Sequence, residues 1–134
     1  MVSWNNLDTL SSYKELADVK PACLTEVMSG DNGAERVKNY SIPMAAGLSY
    51  NYASKQVDEN VLAALEKLAD EAQLADKFKA LYNGEVVNTG EKRLVLHHMT
   101  RGQLGDAVEA DGVDKRTFYK TQQERIAEFA NKVH

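Results

Sequence analysis

The segment of residues 84–101 limits the possible folds of this chain more than any other stretch. Its sequence is Gly-Glu-Val-Val-Asn-Thr-Gly-Glu-Lys-Arg-Leu-Val-Leu-His-His-Met-Thr-Arg. Gly84 follows an apolar run that ends at Tyr82, where a helix needs a left-handed C-terminal cap. Asn88 or Thr89 then suits a cap, and Glu91 places a carboxylate in the first turn of a new helix. The mostly apolar residues that follow predict a buried central helix over about 91–101.

Amphipathic spacing elsewhere predicts about five more helices. The first carries residues 7–17 and has Asn5 or Asn6 as its cap. Asp58 caps a longer helix that runs to a bend near Gln73. The remaining three are a short helix before residue 29, one over residues 74–82 and a C-terminal helix. The chain is therefore predicted to be mainly α.

Several short polar stretches separate these helices. Asp31–Gly33 is typical of a turn, and Gly102–Gly105 marks a break in the chain. Asp111–Asp114 is predicted to be a loop that caps the last helix. That helix places a stripe of mostly apolar side chains on one face. The stripe consists of Phe118, Gln122, Ile126, Phe129 and Val133.

One stretch alternates with a period of two and predicts a β-hairpin. Apolar residues lie two apart from Tyr40 to Met44 and again from Leu48 to Tyr52. This spacing predicts a small antiparallel hairpin at about residues 40–52. Pro43 lacks a backbone donor, so its strand is predicted to be an edge. The predicted fold is a helical domain with this one hairpin.

Length and charge bound the class of protein. A chain of 134 residues suits a single domain over residues 1–134. A net charge of −4 without blocks of Lys or Arg argues against nucleic acid or an anionic membrane as a partner. Cys23 is the one cysteine, which leaves no disulfide framework. No apolar run is long enough for a membrane span, and a signal peptide is not evident, so we expect a cytoplasmic protein.

The candidate chemical groups do not assemble into an active site. Adjacent residues on a helix point about 100° apart, so His97 and His98 cannot share a metal. A hydrogen-bonded or core His97 is the favoured interpretation. Glu91 and Arg93 are interpreted as a cap and a surface pair rather than an acid–cation site. We therefore predict no catalytic, substrate-binding or metal residue, and no cofactor.

Three cations and the cysteine receive equally structural interpretations. Arg36, Lys55 and Arg101 have the charge to bind a phosphate, but without a glycine-rich loop such cations usually lie on a solvated surface. Cys23 is interpreted as a small buried hydrophobe in a helix, because no base is near it in sequence.

The segment 84–101 resembles the N-terminal signature of the glucose-6-phosphate isomerase family. That signature is Gly-Glu, an apolar pair, Asn, a Thr-containing turn, Glu-x-Arg, Val-Leu-His and a following Arg. The matching residues are Gly84, Glu85, Val86, Val87, Asn88, Glu91, Arg93, Val95, Leu96, His97 and Arg101. Gly90 departs from the usual Thr, and Met99-Thr100 replaces Ala-Leu. Arg36 before the hairpin and the segment Asn51–Gln56 after it also resemble the family.

The resemblance implies a chain that lacks the catalytic part of such an enzyme. In the family, a helical and hairpin segment precedes two α/β sugar-isomerase domains, which hold the sugar phosphate and the catalytic Glu, His and Lys. None of those catalytic or substrate-binding residues maps onto this chain. The resemblance covers nearly the whole chain but only about the first quarter of the family's length.

Two hypotheses follow from this partial coverage. The chain is either the N-terminal portion of an isomerase, structural in role and inactive alone, or a free-standing helical interaction domain. Met1 and the family-like stopping point favour the first. The expected partner is then the remainder of the isomerase with its α/β domains, and a homodimer through the stripe on the last helix is left open.

Overall fold

The computed structural model describes residues 2–102 and 105–134. Helices account for 56% of it and the strands form only small antiparallel pairs, which confirms the predicted mainly α fold. The described residues form two compact units. The N-terminal unit is Asn6–Ala72, and the C-terminal unit comprises the described residues of Met1–Asn5 and Gln73–His134. A single domain over residues 1–134 stays a prediction. Gln103 and Leu104, in the predicted break, lie outside the described residues.

Four helices make up most of the N-terminal unit. They are α1 (Ser11–Asp18), α2 (Leu24–Val27), α3 (Gly30–Asn39) and α4 (Glu59–Glu71). A short 3₁₀ helix at Leu7–Thr9 precedes α1, and Leu10 between them is extended. The first predicted helix therefore begins only at Ser11. The cap on α4 is confirmed, because the Asp58 carboxylate accepts hydrogen bonds from the backbone of Asn60 and Val61 at 3.0 Å.

The turn predicted at Asp31–Gly33 is wrong, because these residues lie inside α3. Gly33 is buried at the point where this helix meets the end of α2. A Cβ atom at Gly33 would overlap the Met28 carbonyl oxygen and lie 3.4 Å from the Met28 Cα. Glycine is therefore present here for close backbone approach within a helix rather than for a turn.

The predicted hairpin is confirmed. Strands β1 (Ser41–Pro43) and β2 (Ser49–Asn51) pair antiparallel, with Ile42 opposite Tyr50. A 3₁₀ turn at Ala45–Gly47 joins them. Both strands of this two-stranded sheet are edges, so Pro43 lies on an edge strand as predicted.

The interior of the N-terminal unit consists of small and polar side chains. The buried apolar residues are Ala22, Ala53, Val61, Ala64 and Ala72. Ser12 and Arg36 are buried with them, at 5% and 7% exposure. Larger apolar residues of this unit, such as Ile42 and Leu48, are more than half exposed.

The C-terminal unit combines two helices with two short hairpins. Its elements are α5 (Leu74–Tyr82), β3 (Val86–Asn88), β4 (Arg93–Leu94), β5 (Glu109–Ala110), β6 (Val113–Asp114) and α6 (Lys115–Val133). The bend before α5 is confirmed at Gln73, which has a left-handed φ of 54°. Gly84 follows α5 with φ of 74°, as predicted for a helix C-terminal cap.

The helix predicted over residues 91–101 is wrong. Strands β3 and β4 form a hairpin there, and a 3₁₀ helix follows at His97–Thr100. The Asn88 side chain accepts a hydrogen bond from the Glu91 backbone at 3.2 Å, so the cap closes a turn between strands. Lys92 then has φ of 53°, which an α-helix does not allow.

The second missed hairpin lies at the loop predicted for Asp111–Asp114. Strands β5 and β6 pair antiparallel, and Asp111 with Gly112 forms the turn between them. The predicted cap is confirmed, since the Asp114 carboxylate accepts from the backbone of Arg116 at 3.1 Å and Thr117 at 3.3 Å. Hydrogen bonds from the Thr117 side chain and the backbone lower the Asp114 pKa.

Segment 84–101 does supply the centre of the C-terminal unit. Leu96, Met99 and Val108 form its buried apolar cluster, and Leu94 and Tyr119 pack against it. Met99 is fully buried and Leu96 is 8% exposed. The prediction of burial therefore holds for Leu96 and Met99 but not for the whole of residues 91–101, where six of the eleven residues are exposed and the backbone is not α-helical.

Candidate functional site

The two adjacent histidines have different environments. His97 is exposed, whereas His98 is partly buried with its Nε2 3.2 Å from the Tyr82 carbonyl oxygen. A carbonyl only accepts, so Nε2 carries the proton in this contact. The His98 ring also stacks on Tyr82, with 4.6 Å between centroids. The structural role predicted for His97 therefore belongs to His98.

A buried arginine meets the same carbonyl. Arg116, which is 6% exposed, donates from Nη2 to the Tyr82 carbonyl at 2.9 Å and from Nε to the Asp106 carbonyl. Its guanidinium lies 5.6 Å from the centre of the Tyr82 ring. Both His98 and Arg116 thus hold the last residue of α5. Sequence reasoning missed Arg116; the available signal was its spacing of three residues from Tyr119, on one helical face.

Arg36 is the buried arginine of the N-terminal unit, as Arg116 is of the C-terminal unit. The prediction that Arg36 lies on a solvated surface is wrong. It donates from Nε to the Ala53 carbonyl at 2.8 Å, and from Nη2 to those of Lys55 and Val57 at 3.0 and 2.6 Å. Its guanidinium lies 4.0 Å from the centre of the Tyr40 ring. Through these contacts, Arg36 holds the segment of the chain that follows the hairpin. The Lys55 and Arg101 residues are exposed, as predicted.

Glu91 and Arg93 form a surface pair, which fits the structural interpretation. Their charged groups lie 3.7 Å apart, and both side chains are more than 60% exposed. Asn88 donates back to the Glu91 carboxylate at 3.3 Å, which completes a reciprocal pair of hydrogen bonds at the turn. Exposed pairs of this kind contribute little to stability.

Glu71 forms a cluster that no sequence pattern predicted. Its carboxylate accepts hydrogen bonds from the backbone amides and the hydroxyls of Ser11 and Ser12, at the start of α1. The side-chain and backbone hydrogen bonds from Ser12, aided by those from Ser11, lower the Glu71 pKa to about 2. A residue at the end of α4 therefore caps α1 across the unit.

Cys23 is exposed, so its predicted burial is wrong. It precedes α2 as the N-cap residue instead of lying within the helix. Its neighbour Ala22 takes the buried position and donates a backbone hydrogen bond to Gln56.

Apolar surface is the main chemical feature left without a role. On α6, Phe118, Ile126, Phe129 and Val133 are 45–69% exposed. The N-terminal unit also has an apolar groove of about 220 Å³ between the hairpin and α4. A similar groove of about 280 Å³ lies beside Trp4 and Phe78 in the C-terminal unit.

The described residues offer neither a metal site nor a membrane-spanning helix. Among residues 2–102 and 105–134, no three His, Cys, Asp or Glu side chains are grouped so as to hold a metal ion. Within the same residues, every helix is too short or too polar to cross a bilayer.

Comparisons with known proteins identify the family. The family model for phosphoglucose isomerase matches residues 51–134. Curated relatives named glucose-6-phosphate isomerase match almost the entire chain. The protein of Treponema denticola is 42% identical over 99% of this chain and 26% of its own length. Those of Borreliella afzelii and Treponema pallidum are 41% and 42% identical, over 25% and 26% of their lengths.

The matches agree with the resemblance in extent as well as in kind. The chain spans about a quarter of the length of these relatives, and it corresponds to their N-terminal segment. The family match includes all of segment 84–101, with the β3–β4 turn and the buried residues Leu96 and Met99. This chain belongs to the phosphoglucose isomerase family.

Proposed function

We propose that this chain is the N-terminal portion of a glucose-6-phosphate isomerase and serves a structural role in it. The observation that carries the proposal is 42% identity over 99% of the chain combined with coverage of 26% of the relative. The whole enzyme would interconvert glucose 6-phosphate and fructose 6-phosphate in glycolysis and gluconeogenesis, in the cytoplasm. Its other three quarters would be the partner of this chain.

The environments of the polar groups support a structural role. Aldose–ketose isomerisation needs a base at C1–C2, an acid for ring opening and donors for the phosphate dianion. Arg36 and Arg116 each donate from Nε and Nη2 to backbone carbonyls, and His98 Nε2 donates to the Tyr82 carbonyl. Glu71 is a cap whose pKa is lowered to about 2, which makes it a poor base near neutral pH.

We therefore expect the 134-residue chain to be inactive with either sugar phosphate. Without positioned groups, an effective concentration of order 10⁵ M or more is lost. A coupled assay on the purified chain measures this, with the full-length Treponema denticola isomerase as the positive control. Turnover that persists after removal of host enzyme, and is lost on changing His97 or Glu91, would contradict the proposal.

The exposed stripe of α6 favours one alternative, a free-standing interaction domain. The two hypotheses predict different masses for the native protein. Immunoblotting of source cells with an antibody against this chain should show a protein about four times longer if the isomerase proposal is right. A native protein of 14.9 kDa would support the free-standing domain.

A further inference from the structure

We propose that the exposed stripe of α6, formed by Phe118, Ile126, Phe129 and Val133, is the surface on which the remainder of the isomerase docks. The inference rests on the proposed function, and it identifies the face of this chain that contacts the rest of the enzyme. Three observations support the inference: the attachment of α6 to its unit, the exposed apolar side chains on another face of the helix, and the greater length of the relatives.

One face of α6 is already engaged within the C-terminal unit. Arg116 is buried against the Tyr82 carbonyl, Tyr119 packs on the apolar cluster, and Gln123 donates to the Thr100 carbonyl at 2.7 Å. These residues are spaced three and four apart, so they share one side of the helix. This inward face ends at Gln123.

The stripe lies on a different face. At 100° per residue, its members fall in a sector centred about 90° from the inward face. The attachment of α6 leaves the stripe uncovered, and Phe118 stays 45% exposed beside the partly buried Tyr119. Ile126, Phe129 and Val133 are 66–69% exposed. An apolar face of this kind is typical of a docking surface.

The distal part of α6 packs little on the described residues of its unit. Every residue from 124 to 134 is exposed. An isolated helix of this length is marginal in water, because nucleation is costly and few hydrogen bonds repay it. A partner that covers the stripe would supply the missing packing and order the helix.

Charge and length indicate the occupant. The charged side chains that flank the distal stripe are Glu124, Arg125, Glu128 and Lys132, which sum to no net charge. This pattern suits an apolar surface with a mixed polar rim and does not suit a polyanion. About three quarters of the Treponema denticola relative has no counterpart in this chain. That part of the enzyme is the occupant that we propose for the stripe.

The test compares two substitutions in two contexts, the 134-residue chain and a full-length chimera. Ile126→Asp places a carboxylate in the stripe, and Ala127→Asp places the same group at an exposed position outside the stripe, about 100° around the helix. Each is made in the 134-residue chain and in a chimera where this chain replaces the matched segment of the Treponema denticola isomerase. Ala127→Asp loses more helix propensity, so it is the stricter control.

We expect Ile126→Asp to leave the unfolding of the isolated chain unchanged and to lower chimera activity by about tenfold or more through lost docking. Ala127→Asp should stay within about twofold of the parent chimera. Hydrogen exchange at residues 124–134 should be fast in the isolated chain and about 100-fold slower in the chimera.

The outcomes separate the two levels of the proposal. A parent chimera without isomerase activity would overturn the proposed function itself. An active chimera in which both substitutions behave alike would overturn only the docking surface. A dimer of the isolated chain that Ile126→Asp dissociates, with no effect of that change on the chimera, would assign the stripe to a second copy and overturn the inference.

Discussion

Each of the two units has a different kind of interior. In the C-terminal unit, three apolar side chains from residues 96–108 meet, and Met99 is fully buried among them. In the N-terminal unit, the buried apolar residues are mainly alanines, and Arg36 fills the space beside them. One interior depends on apolar packing, and the other depends on hydrogen bonds from a cation to the backbone.

A buried arginine is present in both units, yet its role differs. Arg36 joins three carbonyls, at residues 53, 55 and 57, and thereby fixes a segment without regular structure. Arg116 joins the end of α5 at Tyr82 to Asp106 before β5, in a unit that also has an apolar cluster. The N-terminal unit should therefore be the more sensitive to loss of its arginine.

The largest expected effect is that of Arg36→Ala. Three carbonyls would lose charge-assisted donors in a buried setting, at a cost of about 4 kcal/mol of unfolding free energy. Urea denaturation measures this, with Lys38→Ala, an exposed cation on the same helix, as the control. A loss below about 1 kcal/mol would show that the alanine packing alone suffices.

The same experiment addresses the prediction of a single domain. Trp4 is the one tryptophan and lies in the C-terminal unit, so its fluorescence reports on that unit alone. For one cooperative domain, the fluorescence and circular dichroism transitions of Arg36→Ala coincide. If fluorescence retains the parent midpoint while helicity falls earlier, the units unfold separately.

Met99→Ala probes the other interior. Removing most of a fully buried side chain leaves a cavity and should cost about 3 kcal/mol. The matched control is Met44→Ala, since Met44 is 56% exposed on the hairpin. Equal effects of the two changes in urea denaturation would refute the claim that the Met99 cluster is the core of its unit.

Gly84→Ala should destabilise by about 2 kcal/mol, through backbone strain and overlap. Gly84 has φ of 74°, and a Cβ atom there would overlap one methyl of Val108 and lie 3.1 Å from the other. Gly90→Ala is the control, because its nearest neighbour would be the Asn88 side chain at 3.8 Å. A thermal midpoint equal to that of Gly90→Ala would count against this account of the helix end.

Sequence reasoning succeeded where the determinants are local. The Asp58 and Asp114 caps, the Gly84 helix end and the 40–52 hairpin each follow from a few neighbouring residues. It failed for residues 91–101, since an Asn side chain that accepts from a backbone amide three residues later closes a turn as readily as it starts a helix.

Contacts between distant residues explain the other failures. The burial of Arg36 depends on carbonyls 17 to 21 residues away, and the Glu71 cap joins residues about 60 positions apart. Neither distance is visible as a periodicity in the sequence. The same limit applies to α6, where the spacing predicted the stripe but not the fraction of each side chain that is exposed.

The smallest expected effect is a change in the acid stability of the N-terminal unit on Glu71→Gln. Hydrogen bonds from Ser12 and Ser11 hold the Glu71 pKa at about 2 in the folded chain, against 4.5 as its ordinary value. The folded state thus binds the proton less readily than the unfolded state does. The contribution of the carboxylate is complete above about pH 4.5 and is lost as the pH falls towards 2.

Glu71→Gln removes that titration while keeping an acceptor oxygen for the serines. We therefore expect the urea midpoint of the variant to fall less steeply than that of the parent between pH 4.5 and 2, and to lie below it at neutral pH. Glu66→Gln, an exposed glutamate on the same helix, should follow the parent curve. Because the N-terminal unit depends on polar contacts, the pH dependence of its urea midpoint should be sensitive to this one carboxylate. Parallel curves for Glu71→Gln and the parent would mean that the pKa of Glu71 is the same in the folded and unfolded states.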